Sequence, residues 1–232
     1  MIVETVELTK IYKMGPSEIR ALDGVNLAIE KGEFLSVMGR SGSGKSTLLN
    51  LIGCLDRPTS GTVILDGVEV TRLPKGKLPQ IRREKVGFVF QRFNLIPTLT
   101  ALENVELPLR YAGVSGGERR RRAKEALEQV GLGDRLGHRP MELSGGECQR
   151  IAIARAIVNW PAILLADEPT GELDTHTAAE IIDLMHELNR EAGVTVVIVT
   201  HDPLVASRTD RIIHLSDGRI VREERPSTTS GR

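Results

Sequence analysis

Phe34-Leu-Ser-Val-Met-Gly-Arg-Ser-Gly-Ser-Gly-Lys-Ser-Thr47 decides the fold class. Phe34 to Met38 is a short apolar run of strand length, and Lys45 to Cys54 carries helical periodicity. The glycine-rich stretch between them is therefore a strand-to-helix turn, and from Gly39 onward it fits G-x-x-x-x-G-K-[ST]. Phosphate groups need many donors at close range. Glycines let the backbone curl so that successive N–H groups point inward, and the helix that follows adds its positive end. Gly39, Arg40, Ser41, Gly42, Ser43 and Gly44 form the candidate phosphate cradle, continued by Lys45, Ser46 and Thr47. In this pattern Lys45 reaches the β- and γ-phosphates of a nucleotide, and the Ser46 hydroxyl ligates Mg²⁺.

Working outward, Ile163-Leu-Leu-Ala-Asp167-Glu168 is an apolar strand that ends in two carboxylates. Asp167 can hold the Mg²⁺ shell and Glu168 can polarise an attacking water. Ala162 to Ala166 and Val194 to Val199 are continuous apolar runs, as expected for parallel strands covered on both faces, with a helical segment from Thr175 to Arg190 between them. Strand, helix, strand in that order predicts right-handed βαβ units. The fold class is α/β: a P-loop NTPase core with a mainly parallel sheet. Val3 to Leu8, the alternating Val25, Leu27 and Ile29, and Gly61 to Leu65 predict an antiparallel β layer near the N-terminus. Helical patterns over 101–111, 118–130 and 145–158, with no strand among them, predict an inserted helical subdomain. The expected organisation is a core of 1–91 and 159–223, a helical subdomain of 92–158, and a flexible tail of 224–232.

Composition narrows the function classes. Lys plus Arg and Asp plus Glu both total 31 in 232 residues, so the formal net charge is zero and a dedicated nucleic-acid binder is disfavoured. Cys54 and Cys148 match no metal spacing and read as small core residues of a reducing compartment. No apolar run approaches the ~20 residues of a membrane helix, and no signal region opens the chain, so a cytoplasmic protein is expected.

A third motif points to one family. Leu143-Ser144-Gly145-Gly146-Glu147, followed by Cys-Gln-Arg-Ile-Ala, resembles the signature of ABC ATPases, placed about 20 residues before the Asp167-Glu168 strand end. The resemblance runs from Val3 to Glu224 and implies further roles. Tyr12 is similar to the aromatic that stacks on adenine. Gln91 is similar to the glutamine that faces Mg²⁺ and the nucleotide, Asp174 to the D-loop aspartate, and His201 to the switch histidine. In that family two copies pack head to tail, and ATP lies between the Lys45 loop of one and the Ser144, Gly145, Gly146 and Glu147 segment of the other. ATP hydrolysis, with Glu168, His201 and Lys45 in catalytic roles, then drives a separate integral membrane permease. Such a subunit sits peripherally on the inner face of the cell membrane. The segment from Gly87 to Leu109 is similar to the subgroup of lipoprotein-releasing and macrolide-export ATPases, which includes extraction and mechanical-signalling types.

The departures are few. Arg40 stands where proline is common, Glu147 and Cys148 where glutamines are frequent, and Glu172 adds a negative charge near the expected dimer seam. Val114-Ser115-Gly116-Gly117-Glu118 imitates the signature but precedes four arginines, and reads as the cap of a basic helix with a solvated face. A DNA- or ribosome-directed ABC protein would carry long coiled coils, for which the spacing leaves no room. A GTPase would carry N/T-K-x-D, which is missing.

Overall fold

The computed structural model describes residues 1–226. β1 (Val3–Met14) and β2 (Ser17–Ile29) form a long hairpin that turns at Gly15, whose φ of 60° suits a residue without Cβ. β3 (Phe34–Met38) and α1 (Lys45–Ile52) follow, and β4 (Ser60–Leu65) with β5 (Val68–Glu69) joins the hairpin. The result is an antiparallel sheet of order β2-β1-β4-β5. Next come α2 (Leu78–Lys85) and β6 (Val86–Phe90), then α3 (Ala101–Tyr111), α4 (Gly116–Gln129) and α5 (Gly145–Ile157) with no strand between them. β7 (Ile163–Asp167), α6 (Thr175–Ala192), β8 (Thr195–Thr200), α7 (Pro203–Ala206), β9 (Arg211–Ser216) and β10 (Arg219–Glu224) complete the chain.

The second sheet has the order β10-β9-β3-β8-β7-β6, parallel throughout except for β10 against β9. Its register positions the site. Met38 lies opposite Thr200, Asp167 opposite Val199, and Phe90 opposite Asp167. The residues that follow these strand ends are Gly39, His201, Glu168 and Gln91. Parallel strands with aligned carboxyl ends place all four on one edge, the usual ligand edge of an open α/β sheet.

Alternation along the strands divides the interior into two clusters. Ile163, Leu165, Val197, Val199, Leu35 and Val37 face α1 and the antiparallel sheet. Leu164, Ala166, Val196, Ile198 and Phe34 face α3, α4, α5 and α6. The helices of the 92–158 segment thus bury their apolar sides against the same sheet face as α6. α5 buries Cys148, Gln149, Ile151, Ala152, Ile153, Ala154, Ala156 and Ile157, which is most of its circumference, so it is the central helix of that layer. Each fully buried Ile contributes about 1.5–3 kcal/mol.

The structure moves two expected boundaries. The helix after the phosphate loop stops at Ile52, because Cys54 takes a left-handed φ of 58°. Cys54 and Cys148 are buried free thiols, as expected, and burial pushes Cys54 up to about 11. The expected tail began at Glu224, yet Glu224 ends β10, where it accepts from His214 Nε2 at 2.8 Å. Residues 227–232 of that tail lie outside the described residues. β5, β9, β10 and α2 were not expected from the sequence.

Candidate active site

The phosphate loop is fixed by contacts that only glycine allows. A methyl group on Gly39 would lie 2.3 Å from the Leu215 carbonyl oxygen, and one on Gly44 would lie 2.3 Å from that of Ala21. Gly42 and Gly44 also take left-handed φ values of 80° and 103°. The loop is held by Ser43 N donating to Arg40 O at 3.1 Å and Gly218 N donating to Ser43 O at 3.0 Å. Inside it, the Ser43 hydroxyl is buried with no protein partner. Arg40, Ser41 and Gly42 are exposed at the rim. Lys45 is nearly buried and donates to the carbonyls of Gly39 at 2.8 Å and Arg40 at 3.0 Å. An ammonium has three N–H bonds, which leaves one for a phosphate oxygen. α1 opens at Gly44 with no side-chain cap and no acid in its first turn, so its N-terminal amides stay open to an anion.

The strand end at Asp167 and Glu168 meets this loop. The Ser46 hydroxyl donates to Asp167 Oδ1 at 3.1 Å. Burial pushes the Asp167 carboxyl up, the Ser46 hydrogen bond opposes this, and the neighbouring Glu168 charge adds to the rise. Glu168 sits at a φ of 48°, an uncommon conformation for a side chain of its size, and its N–H donates to Val199 O at 2.9 Å. That turn points its carboxylate at His201, whose Nδ1 lies 3.2 Å from Glu168 Oε1. Gln91 packs against the loop beyond Glu168: a methyl group on Gly171 would lie 2.7 Å from Gln91 Nε2. Among the described residues no group of three or more His, Cys, Asp or Glu side chains gathers as a metal cage.

Tyr12 stands at the edge of the antiparallel sheet. Its hydroxyl donates to Asp56 Oδ2 at 3.0 Å, and the Lys10 ammonium lies 4.8 Å from its ring centre. Burial pushes the phenol up, against a hydrogen bond from Thr47 of the phosphate-loop helix.

Ser144 caps α5 in a closed box. Its hydroxyl accepts from Glu147 N at 3.2 Å, and the Glu147 carboxylate accepts from Ser144 N at 2.8 Å. Gly145 and Gly146 abut the start of α6, where a methyl group on Gly146 would lie 2.5 Å from Thr177 Cγ2. Asp174 caps α6, accepting from His176 N at 3.0 Å and Thr177 N at 3.1 Å. The hydrogen bonds from Thr177 hold its carboxyl below the ordinary range. Within one chain, then, Lys45, Ser46, Asp167, Glu168 and His201 come together, and Ser144 joins Asp174 elsewhere.

Four functional positions escaped the sequence reading. Asp56 anchors Tyr12. Arg155 donates to the carbonyls of Asn94 at 2.6 Å and Phe93 at 2.8 Å, which fixes the segment after Gln91. Gln149 is fully buried in α5 and donates to Pro169 O at 2.6 Å, one residue past Glu168. A glutamine on an otherwise apolar helix is a readable signal for such a bond. Arg135 donates to Glu147 Oε1 at 3.2 Å, and nothing in the local sequence marks it.

The family profile described as ABC transporter matches residues 22–171. The chain belongs to the ABC transporter family. It is an ATP-binding and ATP-hydrolysing subunit of that family. The uncharacterized ABC transporter ATP-binding protein YvrO of Bacillus subtilis is 55% identical over 94% of this chain and 95% of its own length. The macrolide export ATP-binding/permease protein MacB 1/2 of Paracoccus denitrificans is 54% identical over 92% of this chain, which spans 32% of that longer protein. Among solved structures, the ATP-binding cassette MJ0796 of Methanocaldococcus jannaschii, in a dimeric post-hydrolysis state with ADP and Pi, superposes with a TM-score of 0.88. That match is 55% identical and covers 96% of this chain and 98% of that one. Among the described residues of this ABC ATPase no helix is long and apolar enough to cross a membrane.

Proposed function

We propose that two copies of this ABC ATPase close head to tail on ATP and that hydrolysis reopens them to drive an integral membrane permease. The observation that carries this reading is the single sheet edge on which Lys45, Ser46, Asp167, Glu168 and His201 converge, while Ser144 stands outside it. A phosphate-facing helix end that takes no part in its own chain's nucleotide site is suited to a partner's. The dimeric relative with ADP and Pi supports the same assembly.

Each residue then has a task. Tyr12 stacks on adenine, the loop from Gly39 to Thr47 wraps the phosphates, and Lys45 neutralises them. Ser46, Asp167 and Gln91 would hold Mg²⁺. The ion keeps most of its shell as water and phosphate oxygens, so a few protein oxygens suffice and a three-carboxylate cage is not needed. When bound, Mg²⁺ supplies charge neutralisation between the phosphates. Glu168 orients and deprotonates the attacking water, and His201 holds the Glu168 carboxylate while donating toward the departing phosphate. Gln91 reports nucleotide state to the partner-facing surface. The segment 92–158 acts as the arm that carries Ser144, Gly145, Gly146 and Glu147 to the other copy, with Asp174 at the seam.

The permease docks in a groove of about 610 Å³ beside Gln91, with Phe88, Phe90, Pro108 and Tyr111 as apolar lining and Arg82 and Arg83 as basic lining. Such a groove fits an amphipathic helix end carrying acidic residues, presented by a membrane protein. The fused permease of the MacB relatives supports a membrane partner of the export or extraction type, and such a partner would hold the ATPase peripherally on the inner face.

Glu168→Gln tests the reading. It keeps the side chain's shape and removes the base, so turnover falls about 10²–10⁴-fold. With ATP and Mg²⁺, light scattering should move from the 25.4 kDa single-chain mass to twice that value. A variant that stays at the single-chain mass overturns the proposal.

A further inference from the structure

The second anion site opens with an acid. Glu147 occupies the third position of α5, with Oε2 on Ser144 N at 2.8 Å and Oε1 on Arg135 Nε at 3.2 Å. The Ser144 amide is the largest influence holding this carboxyl below its ordinary 4.5, and Arg135 adds to it, so Glu147 is ionised at neutral pH. A full negative charge therefore stands within one turn of Ser144, Gly145 and Gly146, where a triphosphate is to close. Like charges at that range repel, and the repulsion is strongest where water is squeezed out.

Arg135 arrives from a separate segment. Its N–H donates to Leu132 O at 3.1 Å, and its carbonyl accepts from His138 N at 3.0 Å. The carbonyls of Leu136 and His138 accept from Leu102 N at 3.1 Å and Ala101 N at 2.8 Å, at the start of α3. The turn is thus pinned to α3, and the Arg135 guanidinium reaches across to α5. Asp134 also pairs with Arg135, at 2.6 Å, but its side chain is 69% exposed and water screens it well. The Glu147 side chain is 27% exposed, so its charge is screened less.

We infer that Arg135 is a positioning residue for the closed pair: its guanidinium cancels the Glu147 charge, so that the Ser144 end of α5 can receive the γ-phosphate held by the other copy. This rests on the two-copy reading above. Arg135 acts through Glu147 and need not touch the nucleotide. The arrangement gives the chain the cap that a carboxylate makes at Ser144 without leaving an uncompensated charge at the seam.

The test uses the full chain carrying Glu168→Gln, with ATP and Mg²⁺, and reads the monomer–dimer dissociation constant by analytical ultracentrifugation. Arg135→Ala should weaken the ATP-bound dimer about tenfold at low salt. Adding Glu147→Gln, which keeps an acceptor for Ser144 N and removes the charge, should restore it to within about twofold. Arg135→Lys should keep most of the affinity, and the Arg135→Ala defect should shrink in about 0.5 M salt. A purely structural part for Arg135 would show no rescue and no salt dependence. The inference is overturned if Arg135→Ala dimerises like its parent, or if its loss persists with Glu147→Gln. Should the parent with Arg135 intact form no ATP-dependent dimer, the two-copy reading fails first and takes this inference with it.

Discussion

Ser-Gly-Gly-Glu occurs twice in this chain, at 115–118 and at 144–147, and opens a helix both times. At 144–147 the four residues close a reciprocal capping box, and the two glycines press against Leu173 and Thr177 at the start of α6. At 115–118 the serine makes no side-chain cap bond, Glu118 turns to Arg121 at 2.7 Å, and nothing lies within 4 Å of a methyl group placed on Gly117. The same letters therefore specify a helix start in both places. Their neighbours pack one against α6 and leave the other an open cap. The expected solvated face holds for Arg120 and Arg121, which are exposed, but not for their neighbours: Arg119 pairs with Glu106, and Arg122 donates to Val158 O while lying over the Trp160 ring.

The comparison breaks most sharply at the serines. Ser144→Arg should abolish ATPase turnover, at least about 10²-fold, while single-chain nucleotide binding survives; Ser115→Arg should leave turnover unchanged. Steady-state phosphate release and equilibrium ATP binding check both, and equal effects at the two sites would erase the distinction. A smaller contrast lies in the glycines. Gly146→Ala meets a Thr177 that Asp174 holds at 2.6 Å, so thermal melting should report a loss of about 1–3 kcal/mol. Gly117→Ala has open space and should gain about 0.5 kcal/mol.

The smallest contrast is in the acids. Both Glu147 and Glu118 are held below 4.5, so each stabilises the fold above that pH and loses its contribution as pH falls through the lowered value. The causes differ. For Glu118 the largest is the exposed Arg121 side chain, and for Glu147 it is the Ser144 backbone amide. Acid titration of stability in Glu118→Gln and Glu147→Gln, at low and high salt, should show salt erasing the first share and sparing most of the second.

What could be read from sequence follows the range of the interactions. The strand, the loop at Gly39 to Lys45, the Asp167-Glu168 strand end and the Ser144 cap are local, and each carries its mechanism within a few residues. β9 and β10 were readable too: Asp217-Gly218 takes left-handed φ values of 48° and 75° in a tight turn between apolar runs. Tyr12 was placed by resemblance, because the strand that carries it runs six residues beyond the apolar stretch ending at Leu8. The Arg135–Glu147 pair and the Asp56 anchor of Tyr12 join residues 12 and 44 positions apart, and no periodicity encodes them. The same holds for Gln91 against Gly171, which only the sheet register brings together.

The bond from Gln149 to the Pro169 carbonyl has one more implication. It lashes the shaft of α5 to the turn that carries Glu168, through the amide nitrogen, while the oxygen of the same amide is buried and unengaged. Any tug on α5 by a neighbouring molecule is therefore passed to the Glu168 turn of the same polypeptide. In the proposed head-to-tail pair, a hold taken on the other copy's nucleotide by the Ser144 end of α5 would be felt at the holding copy's own Glu168, which would link the two turnovers.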